Sequence, residues 1–181
     1  MTDLISEEYR SALRLLHQGP RGFGNSGRKH AGEIVAVAAV LGIRSILDYG
    51  AGGGTLRQAM LSSLIYPMIR DFREYDPAIE GIEEPPLPAD LVTCTDVLEH
   101  VEPEKLDAVL AHLRALTLKA AYLVISTQRS HKNLRDGRNA HLIVESPDWW
   151  LDKIRAAGFW LNSRFIRSNE DGIAEVTFWV V

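Results

Sequence analysis

The chain has 181 residues, 46% hydrophobic and 24% charged, with a net charge of -4 at pH 7. This balance suits one soluble domain with a real core and leaves no electrostatic case for general nucleic-acid binding. A lone cysteine, Cys94, excludes an internal disulfide and any paired-cysteine metal site; no long apolar run offers a membrane span, and MTDLISEEYR lacks the pattern of a secretory signal, so a single cytoplasmic domain over 1–181 is expected.

Residues 3–18 carry Leu4, Tyr9, Leu13 and Leu16 at helical spacing, and QGPRGFGNSG (18–27) then breaks the chain. A second helix is expected over 28–42, stopped by Gly42. SILDYG (45–50) reads as a buried strand, the glycine-rich 50–54 as a loop and 54–65 as a helix. IRDFREYD (69–76) reads as a strand, the proline-rich 77–90 as loop, and DLVTCTDV (90–97) as another strand. PEKLDAVLAHLRALT (103–117) is an amphipathic helix with Pro103 near its start, followed by the strand AYLVIST (121–127). After a polar loop (128–141), SPDWWLDKIRAAG (146–158) has Ser at the N-cap, Pro at N1 and Gly at its end. FWLNSRFIRS and AEVTFWVV, joined through NEDG, predict an antiparallel hairpin at the sheet edge. Strands alternating with helices imply a mostly parallel α/β sheet with helices on both faces.

In such a sheet ligands sit beyond the carboxyl ends of strands, where strand order reverses. ILDYGAGGGTL (46–56) falls there. Glycine allows tight turning and lets a ligand approach without meeting a Cβ. A dinucleotide fingerprint beginning at Gly50 would need glycine where Thr55 stands, and a Walker loop would need a lysine that is absent. The pattern present is Asp48-x-Gly50-x-Gly52-x-Gly54. A carboxylate beside the strand end suits a cationic ligand and repels a pyrophosphate.

That pattern resembles the first motif of class I S-adenosylmethionine-dependent methyltransferases. The resemblance runs from about residue 28 to 165 and includes YDPAI, DVLEHV and HLIVESPDWWLDKIRAAGF. Small phage and bacterial methyltransferase-like proteins share DYG.G.G.L, YDPAI and DGRNAHLI. It implies a Rossmann-like methyltransferase fold with S-adenosylmethionine as cofactor. Asp48 would hold the cofactor's ammonium group, Tyr49, Gly50, Ala51, Gly52 and Gly54 would lie against its methionine part, Asp76 would take the ribose hydroxyls, and Thr95 and Asp96 would line the site. Gly24, Asn25, Ser26 and Gly27 would belong to a lid within 1–27, over a core of 28–181. The family's third strand and its helix have no room between Asp76 and Asp90. Both are expected to be absent, leaving an exposed edge open to oligomerisation and the adenine covered by Ile79, Ile82 and Leu87.

Asp96, Glu99 and His100 are expected on one face of a helical turn. RNA 3′-end 2′-O-methyltransferases and ubiquinone-pathway O-methyltransferases resemble this with ExxEH binding a divalent metal, completed in the RNA enzymes by a later histidine, here His141. The reading adopted is no metal, with Asp96, Glu99, His100 and His141 as the alternative metal set. As acid–base candidates, Asp96, His100 and His141 could take a proton from a hydroxyl or amine acceptor. Arg129, His131, Lys132, Arg135 and Arg138 form a basic loop that could meet a phosphate or carboxylate. Of Trp149 and Trp150, one is expected in the core and the other toward the site; Cys94 reads as strand filler. The expected function is methyl transfer to an O or N acceptor, a small molecule or an exposed group. Alternatives are a non-catalytic cofactor- or nucleotide-binding partner module and another S-adenosylmethionine-consuming reaction.

Overall fold

A computed structural model describes residues 4–19, 24, 26–64 and 66–181; Asn25 of the expected lid lies outside the described residues. The first helix, α1 (Glu7–His17), starts at Ser6, whose hydroxyl accepts from the Tyr9 N–H. Helix α2 (Gly27–Val40) ends where Gly42 adopts a left-handed φ of 59° and the Ile43 N–H reaches back to Ala38 O. The expected helix over 54–65 is shorter, α3 (Thr55–Met60). Helix α4 (Leu106–Leu116) follows a 3-10 turn at Pro103–Lys105, and α5 (Pro147–Ala156) carries the foreseen Ser146 cap, accepting from Trp149 N–H at 3.2 Å.

Strands β1 (Ser45–Tyr49), β2 (Asp71–Tyr75), β3 (Ala89–Thr95) and β4 (Thr117–Ser126) run parallel. The C-terminal pair, β5 (Leu161–Asn169) and β6 (Gly172–Val180), is antiparallel, with β6 next to β4. The order is β2-β1-β3-β4-β6-β5, so the hairpin expected at the edge has its second strand inside the sheet. Among the described residues no strand lies beyond β2. The chain passes from β2 to β3 through 76–88 without a helix, and Arg73 on β2 holds that passage by donating to Leu87 O and Pro88 O, each at 2.8 Å.

Side-chain alternation sorts the strands onto two cores. One face packs Leu47, Val92, Leu123 and Phe178 against Leu110 and Leu113 of α4 and Trp150 and Ile154 of α5. The other packs Ile46, Leu91, Tyr122 and Val124 against Ile34 of α2 and Leu56 and Met60 of α3. Helix α1 joins neither. Its Tyr9, with Ile5 just before the helix, packs on Leu134 in a small separate cluster above the carboxyl ends of the strands.

Candidate functional site

From β1 the chain runs outward to β2 and then crosses to β3 on the other side of β1, so strand order reverses between β1 and β3. A cavity of 540 Å³ opens there, a volume within the range of small-molecule and cofactor sites. The glycine loop forms its floor. Gly50 has φ 76° and presses on Val97; a Cβ there would come within 2.4 Å of Val97 Cγ2. Gly52, φ 53°, lies beneath Gly24, whose carbonyl oxygen a Cβ at 52 would meet at 2.5 Å. Two bare backbones therefore stack where the segment before α2 crosses the loop, and the Gly53 N–H donates to Gly24 O at 2.9 Å. That contact sets Gly24 against the loop, and Gly24, Ser26 and Gly27 line the cavity.

The loop's N–H groups are all engaged. Gly50 and Ala51 donate to Tyr75 O, Gly52 to Asp76 Oδ2, Gly53 to Gly24 O and Gly54 to Ala51 O. A phosphate cradle presents such donors to its ligand; this one keeps them inside. What it offers instead is carboxylates. Asp48 is 3% exposed and lines the cavity, and Thr93 Oγ1 donates to its Oδ1 at 3.0 Å. Among the described residues no cation pairs with it, and burial lifts its pKa to about 7. Asp76 accepts the Gly52 N–H on Oδ2 and the Ala78 N–H on Oδ1, and His17 Nε2 of α1 stands 3.9 Å from Oδ2. It both starts the turn and faces the cavity.

Tyr49, Ala51 and Thr95 also line the cavity. Gly54 does not: with φ 66° it caps α3, and its open side meets Glu74 Oε1. Of the passage 77–88 only Pro77 reaches the cavity, and Leu87 is exposed. The cover expected from Ile79, Ile82 and Leu87 is supplied instead by α1 and the residues before it, through Leu4, Ile5, Tyr9, Leu13 and His17. Glu102 ties this roof down by accepting the Ser6 N–H at 2.8 Å and the Ser6 hydroxyl at 2.6 Å, while Tyr9 OH donates to His100 O at 2.6 Å. Helical spacing alone could not show that α1 would serve as a roof.

The expected Asp96–Glu99–His100 face does not form. Asp96 has φ 52°, a left-handed conformation a non-glycine residue rarely adopts, and the 3-10 turn begins only at Leu98. The left-handed step turns Asp96 toward His30 of α2 and Glu175 of β6, and their ligating atoms lie within 4.8 Å of one another. Glu99, His100 and His141 form a second such cluster, so Asp96 leaves the set of four. Glu99 is fully buried, its Oε1 accepts the Ser126 N–H, its Oε2 has no hydrogen-bond partner among the described residues, and burial pushes its carboxyl well up. His100 Nδ1 donates to Ala140 O at 2.6 Å and His141 Nδ1 to Gln128 O at 2.5 Å, which places each lone pair on Nε2. Burial and the His141 ring lower His100 to about 4, keeping it neutral. Two imidazoles oriented by carbonyls beside an orphaned carboxylate oxygen fit a divalent cation.

The polar loop is ordered, with Asn139 Oδ1 accepting from Ser130 N and His141 N. It divides the basic residues. Arg129, His131 and Lys132 line the cavity, whereas Arg138 pairs with Asp136 in solvent and Arg135 is exposed away from it. Lys29 of α2 also lines the cavity. Trp150 is buried and Trp149 packs beside it; neither reaches the cavity, and Cys94 is core.

Three solved structures share this architecture. The 1,6-didemethyltoxoflavin N1-methyltransferase of Burkholderia thailandensis, solved with 1,6-didemethyltoxoflavin and S-adenosylhomocysteine bound, is similar at 19% identity over 96% of this chain and 88% of that chain, with a TM-score of 0.66. An S-adenosylmethionine-dependent methyltransferase from Clostridium acetobutylicum is similar at 10% identity, 96% and 98% coverage and a TM-score of 0.64. The mitomycin 7-O-methyltransferase MmcR is similar at 15% identity, 93% and 60% coverage and a TM-score of 0.64. No curated protein sequence matches the chain. A family model described as a methyltransferase domain matches residues 10–167. The chain belongs to that methyltransferase-domain family, as a class I enzyme with S-adenosylmethionine as its cofactor.

Proposed function

We propose that the cavity holds S-adenosylmethionine with its ammonium group on Asp48, its carboxylate toward Lys29 and the first turn of α2, and its ribose hydroxyls on Asp76. Methyl transfer then goes to an O or N acceptor, a small molecule or an exposed group, entering at the end lined by Ser126, Gln128, Arg129 and His141. One observation carries this reading: Asp48 is a buried carboxylate at the cavity wall with no cation of its own among the described residues, and burial of an uncompensated charge is costly. Tyr49, Gly50, Ala51 and Gly52 give the ligand a floor, and Thr95 closes the side. Bound S-adenosylmethionine supplies an electrophilic methyl on a sulfonium leaving group. The protein's part is alignment under the α1 roof, exclusion of water, and removal of the acceptor's proton. Asp96, His100 and His141 all border the cavity. Calorimetry with S-adenosylmethionine and S-adenosylhomocysteine tests the site: micromolar binding that weakens at least tenfold in Asp48→Asn supports it, and absence of binding at millimolar ligand ends it. A screen for transfer of labelled methyl to metabolite and nucleic-acid pools then identifies the acceptor class.

A second reading rests on the orphaned Glu99 Oε2. Glu99, His100 and His141 would hold a divalent cation at the acceptor end, where it would acidify a coordinated hydroxyl. In that case His100 and His141 are ligands rather than bases. Elemental analysis of the purified protein, with Glu99→Gln beside it, decides: metal that disappears in the variant supports the centre, and equal content in both rules it out.

A further inference from the structure

Beside that cluster, close enough for Asp96 and Glu175 to act on Glu99, stands a second group of ionisable side chains. His30 of α2 is fully buried, and its Nε2 has no hydrogen-bond partner. That nitrogen is 3.8 Å from Glu175 Oε2, and the Asp96 carboxylate completes the cluster within 4.8 Å. Asp96 and Glu175 both line the cavity, and His30 lies behind them. The other side of the imidazole is fixed. Tyr122 OH, which donates to Glu33 Oε2, lies 3.4 Å from His30 Nδ1. Arg167 of β5 salt-bridges both Glu175 and Glu33 and comes within 3.5 Å of Nδ1. A guanidinium so placed disfavours a metal ion.

Arg167 can only donate to Nδ1, which puts the ring proton on Nε2, facing the two carboxylates. We propose that Asp96, Glu175 and His30 form the proton-accepting unit of the acceptor site, with His30 as the positioning residue that shares the proton between the carboxylates. The inference rests on the methyl-transfer reading. As the new C–N or C–O bond forms, the C–S bond breaks with its pair left on sulfur. The acceptor's N–H or O–H bond then releases its proton to the cavity-facing carboxylate of Asp96. The proton stays on Asp96, now a neutral acid, and His30 Nε2–H turns its hydrogen bond to Glu175. The left-handed backbone at Asp96 is what aims its carboxylate at this unit. Burial lowers His30 below the ordinary histidine range, with Arg167 adding to it and Glu175, Asp96 and Glu33 opposing it.

Two measurements on the full chain test the unit without a known acceptor. Long-range ¹H–¹⁵N spectra of histidine-labelled protein, with His30 assigned by its loss in His30→Gln, follow the protonation of the ring. Glu175→Gln and Asp96→Asn should each lower its midpoint by about half a pH unit or more. Calorimetry then compares S-adenosylhomocysteine with sinefungin, an analogue carrying an amine where the reacting methyl stands. Wild type should prefer sinefungin by about tenfold, and Glu175→Gln should bring that preference below about threefold, since a charge-assisted hydrogen bond is lost. A neutral ring with its proton on Nδ1, midpoints unchanged in both variants, or a preference untouched by Glu175→Gln would overturn the proposal. If neither nucleoside binds, the methyl-transfer reading fails, and the spectra alone decide whether the three groups share a proton.

Discussion

Asp48→Asn should strengthen the empty protein while weakening its grip on the cofactor. Buried and without a cation, Asp48 titrates near 7 in the fold against an ordinary 3.8. The fold therefore prefers its protonated form, and the resulting penalty is absent below the ordinary value and grows as pH rises through about 7. At 1.36 kcal/mol per pH unit the full shift amounts to about 4 kcal/mol. An asparagine keeps the shape, and its carbonyl can still accept from Thr93. At pH 8 the variant should thus gain about 2–4 kcal/mol, or roughly 4–15 °C in melting temperature for a chain of this size, with no gain at pH 4. Ligand binding should run the other way. If the ammonium group needs the ionised carboxylate, S-adenosylhomocysteine affinity should fall about 30-fold between pH 8 and pH 5.5, the ratio set by the ionised fraction of a group titrating near 7. In Asp48→Asn the profile should be flat and weak. Calorimetry and thermal unfolding across that pH range read both effects. A wild-type affinity independent of pH, or a variant no more stable at pH 8 than at pH 4 relative to wild type, would refute the reasoning.

Three further outcomes follow from the same geometry. Gly52→Ala places a methyl 2.5 Å from Gly24 O at a left-handed φ, so it should displace the crossing segment, cost about 1–3 kcal/mol and abolish nucleoside binding in calorimetry. Ser6→Ala removes one bond to Glu102 and the cap on Tyr9 N–H; it should cost about 1 kcal/mol and appear as faster amide exchange confined to α1, with faster ligand release. Arg73→Ala frees both carbonyls at 87–88, and limited proteolysis should then cut the passage between β2 and β3 while ligand affinity stays within about twofold, because that passage touches the cavity only at Pro77.

The local elements were legible because each rests on short-range chemistry. Alternating apolar residues gave the strands, Ser146 and Pro147 the start of α5, and Gly42 the end of α2. The Asp48–Gly50–Gly52 spacing located the crevice, since only glycines turn a strand end that sharply. Even the missing third strand could be counted, because thirteen residues between Asp76 and Asp90 cannot hold a helix and a strand.

Other features depended on contacts distant in sequence. Gly24 meets Gly52 across 28 positions, Ser6 meets Glu102 across 96, and His30 meets Glu175 across 145. No spacing rule reaches that far. Helical periodicity placed Asp96 with Glu99 and His100, but a left-handed φ that Asp96 adopts only under tertiary constraint sent it to His30 instead. The sequence by itself determined a parallel sheet and a carboxylate-flanked glycine turn, because both follow from residue chemistry within a few positions. Packing alone decided which acids stand together and what roofs the cavity, because charges buried by distant elements take their partners, and their protons, from whatever the fold sets beside them.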